Sequence, residues 1–238
     1  MERILVTGAE GFIGRNFVRM YSDKYDITSF DRNHGDIRTA EWNFLEFDFV
    51  VHLAALAGVR RSHKIPEEYW DINVNGSQQI FEQFTDIPVI YASSSSIYEW
   101  WLSPYATTKK VMEEIAGRNT LGLRFHTVYG EDSRSDMLYD QLLRKKVNYL
   151  TDHSRDWTHV EDVADAIDIC IEKFSLLSDV PAIDVGNGRP VLVVDMAERV
   201  WPDNNLPVKE VSGERYSTCA DASILTQLGW VPKHFILD

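Results

Sequence analysis

The sequence predicts an α/β fold, a doubly wound parallel sheet with a small C-terminal lobe. Three observations carry this expectation. Short runs are apolar throughout rather than alternating, as in strands buried on both faces. Stretches with helical periodicity separate these runs. A glycine-rich turn follows the first run, at the sheet edge where such folds bind ligands.

The elements follow in order. Residues 3–7, RILVT, read as the first strand, and 26–31, DITSFD, as a second that ends in Asp31. FDFVVHLA (47–54), IPVIYASS (87–94), TLGLRFHTV (120–128) and AIDVG (182–186) read as four more. Pro66 suits the first turn of a helix that runs toward Phe84. Ser103 reads as the N-cap of a helix that begins at Pro104 and runs through Gly117. Apolar positions 160, 163, 164, 167, 170, 171 and 174 give a helical period over 159–174. The 15 residues between Asp31 and Phe47 hold one crossover and little else. Beyond Gly130 the pattern is irregular and rich in proline. Residues 1–129 and 157–186 are therefore assigned to the sheet domain, and 130–156 and 187–238 to the smaller lobe.

Composition narrows the function. Of 238 residues, 44% are hydrophobic and 26% charged, as in a globular protein with a sizeable core. Lys and Arg number 24 against 37 Asp and Glu, a net charge of −13, which repels nucleic acid and anionic membranes. No run approaches the roughly 18–20 apolar residues of a membrane span. Glu2 followed at once by a strand does not read as a signal peptide. Cys170 and Cys219 alone give no disulfide framework and no zinc site, so reduced thiols, a cytoplasmic location and no metal are expected.

Gly8, Gly11 and Gly14 form G-x-x-G-x-x-G between the first strand and a helix that opens at Phe12 and Ile13. The first glycine permits a tight turn, the second a close approach of backbone N–H groups to a pyrophosphate, and the third close helix–strand packing. The helix N-terminus adds partial positive charge. Asp31 stands 17 positions beyond Gly14, where a carboxylate accepts both ribose hydroxyls. The sheet is therefore read as Rossmann-like. Asp31 repels a 2′-phosphate and favours NAD over NADP, although Arg32 beside it is of a type that can hold the extra phosphate.

Tyr105-Ala-Thr-Thr-Lys109 places a phenol and an ammonium on one helix face. The ammonium can lower the phenol pKa toward that of a general base. By itself this spacing is common on solvated helix faces. Here Ser93–Ser96 precede it at the end of a strand, where a serine hydroxyl can polarise a reacting oxygen. A flexible loop is the plain alternative for that run.

With these motifs in place, the chain resembles the extended short-chain dehydrogenase/reductase superfamily, and within it the NAD-dependent sugar-nucleotide epimerases and dehydratases. VTGAEGFIG (6–14), FDR (30–32), GDI (35–37), VVHLAALAGVR (50–60), DINVNG (71–76), YASSSSIY (91–98), SPYATTKK (103–110), LRFHTVYG (123–130), RDWTHVEDVADAI (155–167) and DVGNG (184–188) occur in family order. The resemblance implies that Asp36 and Ile37 lie against adenine, and Leu53, Ala54 and Ala55 beside the ribose and pyrophosphate. It implies that Asn73 stands near the nicotinamide. Ser94, Tyr105 and Lys109 become the catalytic hydroxyl, the base and its partner, and Arg155 a ligand of the substrate diphosphate.

The family is usually longer. A strand–helix unit after Asp31 and the stretch between Tyr98 and Tyr105 are cut down here. Trp100 and Trp101 occupy the second cut, covering the site or capping the core or a dimer contact. His126 stands where the family often has an aromatic apolar residue, and a packed core histidine is expected over a catalytic one.

The dehydratases resembled here carry Asp-Glu after the catalytic hydroxyl, whereas this chain has Ser95 and Ser96, which cannot do that acid–base chemistry at neutral pH. C4 epimerisation of a UDP-sugar, with NAD regenerated in each turnover, is the reaction expected. The nearest subgroup is the UDP-glucuronate 4-epimerases, which implies that Arg60, Ser95, Ser96, Thr127 and Arg134 surround the substrate. The alternatives are a net reductase or dehydrogenase of a nucleotide-linked sugar and a non-catalytic dinucleotide-binding module. The family further implies a homodimer through the helices at 66–84 and 104–117.

Overall fold

The computed structural model describes residues 1–238, apart from the side chain of Phe44. Its centre is a six-stranded sheet of β1 (Arg3–Thr7), β2 (Asp26–Phe30), β3 (Phe49–His52), β4 (Val89–Ser94), β5 (Thr120–Phe125) and β9 (Ala182–Val185). All neighbours pair in parallel, in the order β2-β1-β3-β4-β5-β9.

Alternation along β1 explains its uniform apolarity. Ile4 and Val6 point into one buried cluster and Leu5 into another. The first cluster gathers Phe17 of α1 (Phe12–Tyr21) and Val163 and Ile167 of α7 (Val160–Glu172). The second gathers Ile80 and Phe81 of α4 (Gly76–Gln83) and Met112 of α5 (Pro104–Ile115). The sheet is thus covered on both sides. Ser103 caps α5 as expected, accepting from the Ala106 N–H at 3.1 Å.

Two local features have physical causes. The crossover from β2 to β3 contains no α-helix, only a 3₁₀ turn at Phe44–Glu46. Aromatic packing fills the space instead: Trp42 lies edge-on to Phe30 at 5.1 Å and 5.9 Å from Phe84. The helix from Pro66 is also not uniform. The short helices α2 (Val59–Ser62) and α3 (Pro66–Tyr69) precede a π-helical segment, Trp70–Asn75, which leads into α4.

The remaining strands form two small sheets. β6 (Thr127–Tyr129), β8 (Ser154–His159) and β10 (Pro190–Leu192) make one, in the order β10-β8-β6. β7 (Leu150–Thr151) and β11 (Val208–Lys209) make the other. A third apolar cluster, with Tyr129, Leu142, Trp157, Val193 and Met196, joins them to α6 (Leu138–Leu143) and α8 (Val193–Val200). A last short helix, α9 (Ser223–Gln227), packs Leu225 into the first cluster. No helix among the described residues is long and apolar enough to cross a membrane.

Asp156 ties these parts together. It is fully buried, and its carboxylate accepts the backbone N–H groups of Asn187, Gly188 and Ala220, each at 2.8 Å. Removing it strands three backbone donors, one buried and two partly buried. Asp156→Ala is expected to cost about 3–5 kcal/mol, from three backbone donors that each lose a hydrogen bond to a charged acceptor. Urea denaturation measures this, and a loss under about 1 kcal/mol would show that the loops at 187 and 220 hold without it.

Candidate active site

The chain leaves β1 on one side for β2 and returns on the other at β3. The crevice at their C-terminal ends is therefore the topological switch point. A cleft of about 1250 Å³ opens there and runs from Asp31 past Gly8 to Tyr105.

Its floor is the glycine turn. Gly8 has φ +71°, and a Cβ there would lie 2.6 Å from the Ala54 nitrogen. A Cβ on Gly14 would lie 2.1 Å from the Gly8 carbonyl oxygen. The turn can close only with glycine at both positions. Helix α1 then opens with Gly11 as N-cap, without a capping side chain and without an acidic residue in its first turn. Phe12, Ile13 and Gly14 line the cleft, so an uncapped helix N-terminus borders it. Asp31 lines the same wall, and its carboxylate is held by the N–H groups of Glu10 at 2.9 Å and Arg32 at 2.8 Å. These backbone contacts leave acceptor capacity on both oxygens. An uncapped positive helix end beside an aimed carboxylate fits a dinucleotide, with phosphate at the first and ribose at the second.

Arg32, Asp36, Ile37, Leu53, Ala54 and Ala55 also line the cleft. Hydrogen bonds from Arg38 hold the Asp36 carboxyl down at about 2. Asn73 is placed differently. It lies fully buried in the π-helical segment, with its amide oxygen accepting the Leu56 N–H and its NH₂ bonded to the Leu56 carbonyl and the Thr108 hydroxyl. That amide positions the wall at Leu56 rather than facing the cleft.

At the far end, Ser94 closes β4, and Tyr105 and Lys109 project from successive turns of α5; all three line the cleft. Lys109 Nζ donates to the Ala92 carbonyl at 2.7 Å. Burial without a counter-ion pushes its pKa down to about 7. Burial raises the Tyr105 phenol above its ordinary value, with the Ser94 hydroxyl acting the other way. Desolvation is thus the larger influence on the phenol. Tyr69 meets Tyr105 edge-on at 6.2 Å and donates to the Ala57 carbonyl at 2.8 Å, which fixes the phenol's outer side.

Thr127 and Arg134 line the cleft, with Arg134 paired to Asp136 at 3.0 Å. Arg60, Ser95, Ser96 and Arg155 do not line it. Arg60 donates to Glu214 at 2.7 Å, and Arg155 lies 3.6 Å from the same carboxylate. Arg155 also donates to the carbonyls of Ser154 and Tyr216. Glu214's neighbour Arg215 donates to the Ser95 carbonyl at 2.8 Å, so this arginine cluster abuts the residue after Ser94. Sequence reasoning passed over Arg61, which lines the cleft where Arg60 turns away. Two adjacent arginines in AGVRR offer no sequence signal for which faces inward.

His126 borders the cleft, but its imidazole is buried, with Nε2 3.3 Å from Asp184 and Nδ1 unpartnered among the described residues. Trp100 and Trp101 are 44% and 64% exposed, so they neither cap the core nor cover the cleft. Trp101 borders a separate hollow of about 350 Å³ with Trp70 and Pro104.

Comparison with known proteins matches this architecture. The family model described as NAD dependent epimerase/dehydratase family matches residues 4–186. An uncharacterized protein of Methanocaldococcus jannaschii is 31% identical, with 98% of this chain and 92% of that one covered. UDP-glucuronate 4-epimerase 6 of Arabidopsis thaliana is 30% identical over 67% of this chain, which spans about half (49%) of that relative's length. The solved structure of MoeE5 in complex with UDP-glucose and NAD superposes with a TM-score of 0.83 at 28% identity, covering 98% of this chain and 94% of that one. With the dinucleotide turn, the aimed carboxylate and the Ser–Tyr–Lys grouping in one cleft, the chain belongs to the NAD dependent epimerase/dehydratase family, and its cofactor is NAD.

Proposed function

We propose that the protein inverts C4 of a UDP-sugar, with UDP-glucuronate as the candidate substrate. The observation that carries the reading is the convergence of Ser94, Tyr105 and Lys109 in the cleft that holds the glycine turn. Bound NAD would supply the acceptor for the C4 hydrogen, taken as hydride and returned. Tyr105 takes the proton of the 4-hydroxyl as that hydride leaves, and Ser94 hydrogen-bonds the same oxygen. Lys109 holds the nicotinamide ribose. Ser95 and Ser96 provide no carboxyl for elimination, which separates this reading from a dehydratase.

The UDP diphosphate carries two negative charges and a uronate adds a third, and these must be held against a net charge of −13. Arg61 and Arg134 in the cleft, and Arg60, Arg155 and Arg215 beside it, supply the local positive charge. Thr127 donates to a C6 carboxylate. Similarity to UDP-glucuronate 4-epimerases supports the uronate. The reading includes a cytoplasmic homodimer through the helices at 66–84 and 104–117, where Trp70 and Ile115 stay exposed.

Tyr105→Phe is expected to abolish C4 inversion while the protein retains NAD. Ser94→Ala should slow turnover by about 10²–10⁴. Chromatography of UDP-glucuronate and UDP-glucose incubated with each variant measures both, and Thr127→Val should penalise only the uronate. A near-normal rate for Tyr105→Phe would remove the mechanism. Equal losses on both sugars for Thr127→Val would remove the uronate.

Lys109 gives a pH-dependent test in protein stripped of cofactor. Its folded pKa, about 7, lies below the ordinary 10.5. The unfolded chain therefore binds the extra proton between those values, and the penalty is full below about 7 and fades as pH rises. Lys109→Met should raise the melting temperature at pH ~6, with the gain shrinking toward pH ~9. A difference constant across that window would contradict the buried, uncompensated ammonium.

A further inference from the structure

Away from the cleft, three ligand-type side chains meet where the C-terminal segment docks on α7. His159 caps α7, Glu161 lies in its first turn, and His234 comes from the segment after Trp230. One ligand atom from each lies within 4.8 Å of the other two. The two imidazole rings are 4.3 Å apart, tilted by 34°. Glu161 Oε2 stands 3.8 Å from His234 Nε2, while Arg19 holds Glu161 Oε1 at 2.9 Å.

The surroundings prepare these groups as ligands. Asp162 is 1% exposed and accepts the backbone N–H groups of Lys233 and His234, each at 3.0 Å. The Asp162 carboxylate also takes the Nδ1–H of His234 at 3.0 Å. With its proton on Nδ1, that imidazole keeps its lone pair on Nε2. A carboxylate behind a histidine is the usual way a metal ligand is oriented and its basicity raised. His159 lies half-buried beside the His234 ring. Its contact with the Glu161 N–H is long, 3.3 Å, and easily given up.

We propose that His159, Glu161 and His234 form a zinc site that clamps the C-terminal segment onto α7. Two imidazoles and one carboxylate are a zinc donor set, with water in the fourth position. Ligands of a tetrahedral zinc, each at about 2.0–2.2 Å, sit roughly 3.4 Å from one another. The Glu161–His234 separation of 3.8 Å needs only a few tenths of closure. His159 moves further, on half-buried side-chain torsions. Arg19 keeps the first oxygen of Glu161 and zinc takes the second. The site is independent of the epimerase reading, since none of its ligands lines the cleft.

The test uses the untagged, chelator-stripped 238-residue chain titrated with zinc chloride. Calorimetry should show one saturable equivalent, and the melting temperature should rise. Cobalt(II) in place of zinc should give the visible bands of a tetrahedral centre. Hydrogen exchange of backbone amides at 231–238 should slow when zinc is bound. His234→Gln and Glu161→Gln, both on partly exposed side chains, should each weaken zinc at least ~10-fold. Absence of saturable binding to the wild-type chain would overturn the site. So would zinc affinity that survives both substitutions.

Discussion

The cleft depends on one close approach. The Gly8 turn lies against the backbone at Leu53 and Ala54 so tightly that a single methyl group would fall 2.6–2.8 Å from three backbone atoms. This contact brings the C-terminal ends of β1 and β3 together, and it sets how far α1 can advance into the crevice. The Gly14 contact with the Gly8 carbonyl fixes the helix in turn. Where the first-turn N–H groups point follows from these two steric limits, and the Glu10 N–H bond to Asp31 ties the turn to the carboxylate.

Charge inside the molecule is managed by a few buried groups. Asp156 is spent on backbone donors, and Asp162 does the same for the C-terminal segment. His52, beside Lys109, is held neutral by burial, its ring bonded to Thr7 at 2.7 Å and Ser77 at 2.9 Å. Lys109 is the exception, an ammonium facing only a backbone carbonyl. These two aspartates and His52 are satisfied where they stand, whereas the lysine and the phenol of the site bear a desolvation cost.

The parts most legible in the sequence were those set by steric rules. Glycine spacing, apolar runs, and Ser103 before Pro104 each leave one local solution, and the strands, the turn and the cap follow. The crossover after Asp31 was legible as a cut-down unit, but not its filling by the aromatic packing of Trp42, Phe47 and Phe84. Asn73 and Arg60 show a second limit. Both fall in motifs of the right composition, but a side chain's direction depends on tertiary partners: Leu56 and Thr108 take the amide, and Glu214 takes the guanidinium. The zinc ligands lie in two distant segments, and no sequence spacing joins His159 to His234.

The most direct measurement follows the hydrogen on C4. UDP-glucuronate and UDP-glucose, each deuterated at C4, are incubated with purified protein without added NAD, and the products are examined by NMR. Hydride removal and return within one closed cleft predicts inversion with deuterium kept at C4 and none appearing at C3 or C5. Loss of the label to solvent, or failure to invert either sugar, would contradict the assignment of this cleft to C4 epimerisation.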